Sequence, residues 1–234
     1  MSRPFGFIWA VVLTLLVAAA SGPALAHGIG GSDAAFVASS KGLQIVPFLY
    51  LGAKHMVTGY DHLLFILGVI FFLYRLTHVA LYVTMFSIGH SITLLTGVLS
   101  GIHVNPYLID AIIGLSVAYK AFDNLGGFQT LFGVQPNTKL VVLVFGLFHG
   151  FGLATKLQAL QMSKDGLVAN MISFNIGVEI GQLIALSIML AVILWWRRSP
   201  SFARHAVLAN AAILVAGFVL MDYQLAGAFT QKGV

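Results

Sequence analysis

Long apolar stretches, interrupted by single glycines, prolines and charges, dominate this 234-residue chain. Stretches of about twenty apolar residues predict membrane-crossing helices. Six are read here, over about 56–76, 79–99, 107–122, 140–160, 168–196 and 206–224. Arg75 closes the first, and Gly101 with Asn105-Pro106 marks the turn after the second. A loop with Asp123, Asn124, Gly126, Gly127 and Pro136-Asn137 separates the third from the fourth. Ahead of the first, Leu43 to Lys54 is broken by Pro47 and Gly52, which predicts an interfacial or re-entrant helix. Gly28 to Gly42 is rich in Gly and Ser and reads as a short exported tail. The first 26 residues have the layout of a signal peptide: Arg3, then an apolar run from Ile8 to Ala20, then Ala24-Leu25-Ala26 as the cleavage site. The expected organisation is a signal peptide over 1–26, a tail over 27–42 and a polytopic membrane domain over 43–234. The fold class is all-α: an integral membrane bundle of about six transmembrane helices.

Composition points the same way. Apolar residues make up 59% of the chain and charged residues 8%, against about 25% charged in soluble domains. Lipid must cover that much apolar surface, so the lipid bilayer is the first partner. The net charge of +5 is not a nucleic-acid signature, because the twelve Lys and Arg are scattered singly apart from Arg197-Arg198. An exported start and six spans put Arg75, Lys120, Lys139, Arg197, Arg198 and Arg204 on the cytoplasmic side. Lys41, Lys54, Lys156, Lys164 and Lys232 then face outward, a slight positive-inside bias. The expected location is a bacterial inner membrane, with the mature N-terminus at His27 outside. There is no cysteine, so any metal must be held by imidazole or oxygen ligands.

Ionisable groups in apolar spans cost at least a few kcal/mol, and so mark candidate functional positions. The densest cluster is His55, Asp61 and His62. On a continuous helix His55 and His62 share a face, and Asp61 either orients an imidazole or adds an oxygen ligand. The structural alternative has Asp61 capping a helix that starts after Gly59. In the second span Thr84, Ser87, His90 and Ser91 lie toward one side and predict a polar stripe facing the bundle. His149 sits among Gly146, Gly150 and Gly152, which fits either a buried ligand or a tight helix crossing. Asn175, Glu179 and Gln182 follow one helix face at i, i+4 and i+7. Asp110 reads as a cap for the third span. His78, His103 and His205 fall at helix ends or in loops, and an N-terminal His27 is a weak candidate for copper chelation.

In order along the chain, Gly52 to Phe65, Phe86 to Leu94, Asp110 to Leu125, Phe145 to Ala154 and Phe174 to Gln182 resemble the motifs of the HupE/UreJ family. The third stretch departs from that pattern. Asp123 stands where a Glu is expected, and Gly114-Leu115-Ser116 replaces Ala-Leu-Ser. The resemblance implies a permease for nickel or cobalt that serves metalloenzyme maturation proteins. On this reading the metal-binding residues are His55, Asp61, His62, His90, His149 and Glu179, supported by Asn175, Gln182 and Ser91. A divalent transition metal is the substrate, since imidazole suits such ions. No nucleotide-binding loop of the G-x-x-x-x-G-K-[ST] type occurs. Two alternatives from other classes are an intramembrane metalloenzyme and a non-catalytic assembly factor for one.

Overall fold

The structure, a computed structural model, describes residues 31–102, 104–160 and 163–230. The expected signal peptide, its cleavage site, His27, His103 and Lys232 lie outside the described residues. Among those described there are nine helices and no strand. They are α1 Gly31–Ser39, α2 Ile45–Thr58, α3 Tyr60–Ile70, α4 Leu76–Ser100, α5 Pro106–Asn124, α6 Gly127–Phe132, α7 Thr138–Ala159, α8 Leu167–Arg197 and α9 Phe202–Thr230. Four of them, α4, α7, α8 and α9, are long and apolar enough to cross a membrane.

Local sequence explains most of the boundaries. Asn105 caps α5 by accepting from the Tyr107 amide at 2.9 Å, with Pro106 as first helical residue. Asn137 caps α7 in the same way, through the Lys139 and Leu140 amides. Gly101 ends α4 at a φ of 64°, the left-handed region that favours glycine.

Three helix pairs carry most of the packing: α2 with α8, α4 with α7, and α5 with α9. Their contact is of the small-residue kind, in which backbones approach because side chains are missing. A Cβ at Gly177 would overlap the Leu49 carbonyl of α2, and one at Gly150 would overlap the His90 carbonyl of α4. Helix α3 sits among these pairs, in contact with α2, α4, α5, α8 and α9. Asp61, His62, Leu64, Phe65, Ile66, Gly68, Val69 and Ile70 are all buried there.

Two expectations need correcting. The predicted first span over 56–76 is not one helix. Gly59, with an extended backbone, separates α2 from α3. The 11 residues of α3 rise only about 16 Å, roughly half the hydrocarbon thickness. The segment from Leu43 to Lys54 leads into and forms most of α2, which packs one face along α8 and leaves Ile45, Val46, Tyr50 and Val57 exposed. Ser173 and Asn170 of α8 tie down the chain leading into α2, at Ile45 and at Gly42 and Gln44. Part of the presumed tail also forms helix α1, whose Asp33 pairs with Lys54 at 2.7 Å.

A half-length helix leaves its terminal carbonyls without intrahelical partners inside the protein. Arg197, at the end of α8, supplies them. Its guanidinium donates to the carbonyls of Ile70, Phe71 and Leu73 at 3.1, 2.6 and 2.7 Å. Asn124 adds a bond to the Gly68 carbonyl at 2.8 Å and another to Asn210 of α9. A lysine carries its three donors on one nitrogen and lacks the planar fork that lets Nη1 and Nη2 of Arg197 reach separate carbonyls. Arg197→Lys is therefore expected to cost about 1–3 kcal/mol of stability, read as a lower melting temperature in detergent. Arg198→Lys, at the exposed neighbouring position, should leave the melting temperature unchanged.

Candidate functional site

The break at Gly59 sets the last turn of α2 against the first turn of α3, and both carry histidines. His55 is 6% exposed, and His62, His90 and His149 are 0–1% exposed. His90 and His149 lie near the middle of the 25-residue α4 and the 22-residue α7. Four helices thus deliver one imidazole each to the bundle interior, three of them around His62.

His62 is the hub. Its ring centroid lies 4.8 Å from that of His149, 5.2 Å from His55 and 5.8 Å from His90. Each pair meets edge to face, at 87°, 81° and 69°. Phenylalanines wall the cluster. Phe86 contacts His62, His90 and His149, Phe65 contacts His149, and Phe174 contacts His55. Among the described residues, no three His, Asp or Glu side chains are grouped closely enough to hold one ion together. The rings meet in pairs.

Hydrogen bonds behind the rings fix their tautomers. Asp61 Oδ1 accepts the His62 backbone amide at 2.8 Å and lies 3.1 Å from His62 Nδ1. A carboxylate there draws the ring proton to Nδ1 and makes Nε2 the lone-pair nitrogen. Of the two roles open to Asp61, orienting an imidazole is the one the geometry serves. It also sits in the first turn of α3, where a negative charge complements the helix dipole. Gly59, not Asp61, is the cap. On the far side, Ser116 Oγ donates to the Ile113 carbonyl at 2.6 Å and lies 3.0 Å from His149 Nε2. With the hydroxyl proton committed to the carbonyl, Nε2–H of His149 donates to Ser116 and Nδ1 carries the lone pair.

Not every candidate joins this cluster. Glu179 accepts from Ser91 Oγ at 3.5 Å and forms no ion pair or hydrogen bond with any described histidine. The supposed single stripe on α4 is split by helical geometry. His90 points to the cluster, whereas Ser87 and Ser91 turn toward α8. There Ser87 meets Gln182 at 3.1 Å and Ser91 meets Asn175 at 2.9 Å. Asp110 is not a cap, because Asn105 fills that role; it pairs instead with Lys156 of α7 at 2.7 Å. His78 is exposed in the first turn of α4, and His205 lies half-buried in the first turn of α9.

Sequence reading missed Ser116 as the partner of His149, Asn124 and Arg197 as anchors of α3, and the phenylalanine walls. A signal existed for two of them. Ser116 and Asn124 fall in the two short runs compared with the family pattern, although no role had been attached to either.

A family model described as HupE / UreJ protein matches residues 31–232. No curated protein and no solved structure matches the chain significantly.

Proposed function

Since this chain belongs to the HupE/UreJ family of membrane proteins, we propose that it is a permease for a divalent transition metal, nickel or cobalt, whose path runs through the imidazole cluster around His62. The observation that carries this reading is the pairwise packing of the His55, His90 and His149 rings, from α2, α4 and α7, around the buried His62 of α3, with Asp61 fixing the central ring. Neutral imidazole nitrogen suits borderline cations such as nickel and cobalt. Weak contacts made in sequence let an ion leave as readily as it arrives.

The broken helix supports the same reading. Discontinuous helices whose inner ends lie near mid-membrane are how many secondary transporters build their substrate sites. Here the N-terminal turn of α3, with Tyr60, Asp61 and His62, is that inner end. We take the crossings to be α2 with α3 together, then α4, α5, α7, α8 and α9, which gives six and places both ends of the mature chain outside. Supply of metal to metalloenzyme maturation proteins is the corresponding cellular role.

The test is uptake of radiolabelled nickel or cobalt into proteoliposomes holding the purified chain. Uptake above that of empty vesicles, saturable in metal, is the expected result. Metal that binds but stays put, with turnover of a lipid or peptide, would instead favour an intramembrane metalloenzyme. Neither uptake nor turnover would leave the assembly-factor reading.

A further inference from the structure

Helix α4 has a second polar face, beside the one that carries His90. Thr84, Ser87 and Ser91 lie on it at i, i+3 and i+7, and Glu179 of α8 stands opposite. Together with exposed apolar side chains such as Ile88 and Leu183 they line an open groove of about 440 Å³ on the outer side of the α4–α8 contact. Its polar contacts are few. Ser91 Oγ donates to Glu179 Oε1 at 3.5 Å, at the outer limit of a hydrogen bond. Asn175 Nδ2 donates to Ser91 Oγ at 2.9 Å, and Ser87 Oγ donates to Gln182 Oε1 at 3.1 Å. Gln182 Nε2 reaches the Val83 carbonyl at 3.4 Å. Beside them, Asn175 Oδ1 is shielded from solvent and accepts no hydrogen bond.

Two facts need an explanation. A carboxylate near the middle of the 31-residue α8 is costly to ionise in an apolar setting unless something balances it. Yet no Lys, Arg or His lies within ion-pairing distance of Glu179 among the described residues, and its one hydrogen bond is long. The groove beside it offers oxygen ligands only, and the carboxylate of Glu179 and the hydroxyls of Ser91 and Ser87 lie on neighbouring turns. Oxygen ligands without imidazole select hard cations, not nickel or cobalt. Calcium sites usually gather several carboxylates, whereas a single carboxylate is matched in charge by a monovalent ion.

We propose that Glu179, with Ser91 and Ser87, forms a sodium-binding site where α4 faces α8, on the side of α4 next to the one that carries His90. Ser91 follows His90 directly, so α4 carries the two sites side by side. If the chain is a permease, sodium held here is the ion whose gradient drives it. That clause rests on the permease reading; the binding site itself does not.

The experiment is thermal melting of the purified full-length chain in detergent, at fixed pH and at an ionic strength held constant with choline chloride. Sodium chloride is expected to raise the melting temperature saturably. Glu179→Gln, which keeps shape and hydrogen bonding, should melt like wild type in choline and lose the sodium response. Ser91→Ala should shift the response to higher sodium. His90→Ala should keep it while losing divalent metal. Identical melting in sodium and choline would overturn the site and leave Glu179 a protonated helix contact. A Glu179→Gln or Ser91→Ala protein with an unaltered sodium response would overturn it as well. A sodium response without nickel or cobalt uptake leaves this site standing and removes the permease.

Discussion

His62→Gln should reduce nickel and cobalt uptake to the level of empty vesicles and strip bound metal from the purified protein. His62 is the one ring that contacts the other three, so its loss severs the path instead of trimming one end. Glutamine keeps a polar, hydrogen-bonding side chain of similar reach, but a neutral amide is a poor ligand for these ions. The neighbouring residues should then fall in a graded order. Asp61→Asn retains the ring and loses the charge that orients it. Such orienting partners are worth about 10–100-fold in metal affinity. Ser116→Ala removes a neutral partner of His149 and should cost less than Asp61→Asn. Full uptake by His62→Gln, or a Ser116→Ala defect larger than that of Asp61→Asn, would remove His62 from the centre of the mechanism.

Gly150→Ala is expected to damage fold and site together, although it adds a single methyl group. The new Cβ would overlap the His90 carbonyl and crowd Thr93 Oγ1. The obstacle is backbone, which cannot rotate away, so α4 and α7 must separate. Overpacking costs about 1–3 kcal/mol where side chains can adjust, and the loss here should reach or exceed the top of that range. Because His90 and His149 lie on the two displaced helices, metal binding should fall along with the melting temperature. Ala159→Val, on an exposed position near the end of the same helix, should change neither. If Gly150→Ala melts like wild type, the close α4–α7 contact is not a stabilising feature of the protein.

A methyl group can disturb the site because of how membrane bundles are held together. Lipid tails are as apolar as the helices, so burial of apolar surface does little to join one helix to another. Close packing and interhelical hydrogen bonds take over. Glycines at the three main pairings and short polar bridges such as Asn124 to Asn210 fill those roles.

Hydropathy alone determined that the described residues form a helical membrane protein, and it located α4, α5, α7 and α8 to within three residues and the middle of α9. The motifs placed it in its family, and ionisable residues out of place in apolar runs pointed to His55, Asp61, His62, His90 and His149. Those signals survive in the sequence because each depends on composition within one segment. What needed the fold was everything set by direction. A helix start after Gly59 is one of two readings the sequence leaves open, and only tertiary packing shows that Gly59 halves the predicted first span and turns His62 inward. His90 and Ser91 are adjacent in sequence, yet a rotation of about 100° per residue sends one to the histidines and the other to Glu179. Asp110 has the look of a cap until α7 brings Lys156 beside it, and Arg197 that of a topology marker until α3 needs its carbonyls closed. A side chain's partner in a bundle depends on which helix lies across from it, and that is fixed by the packing of all the helices at once.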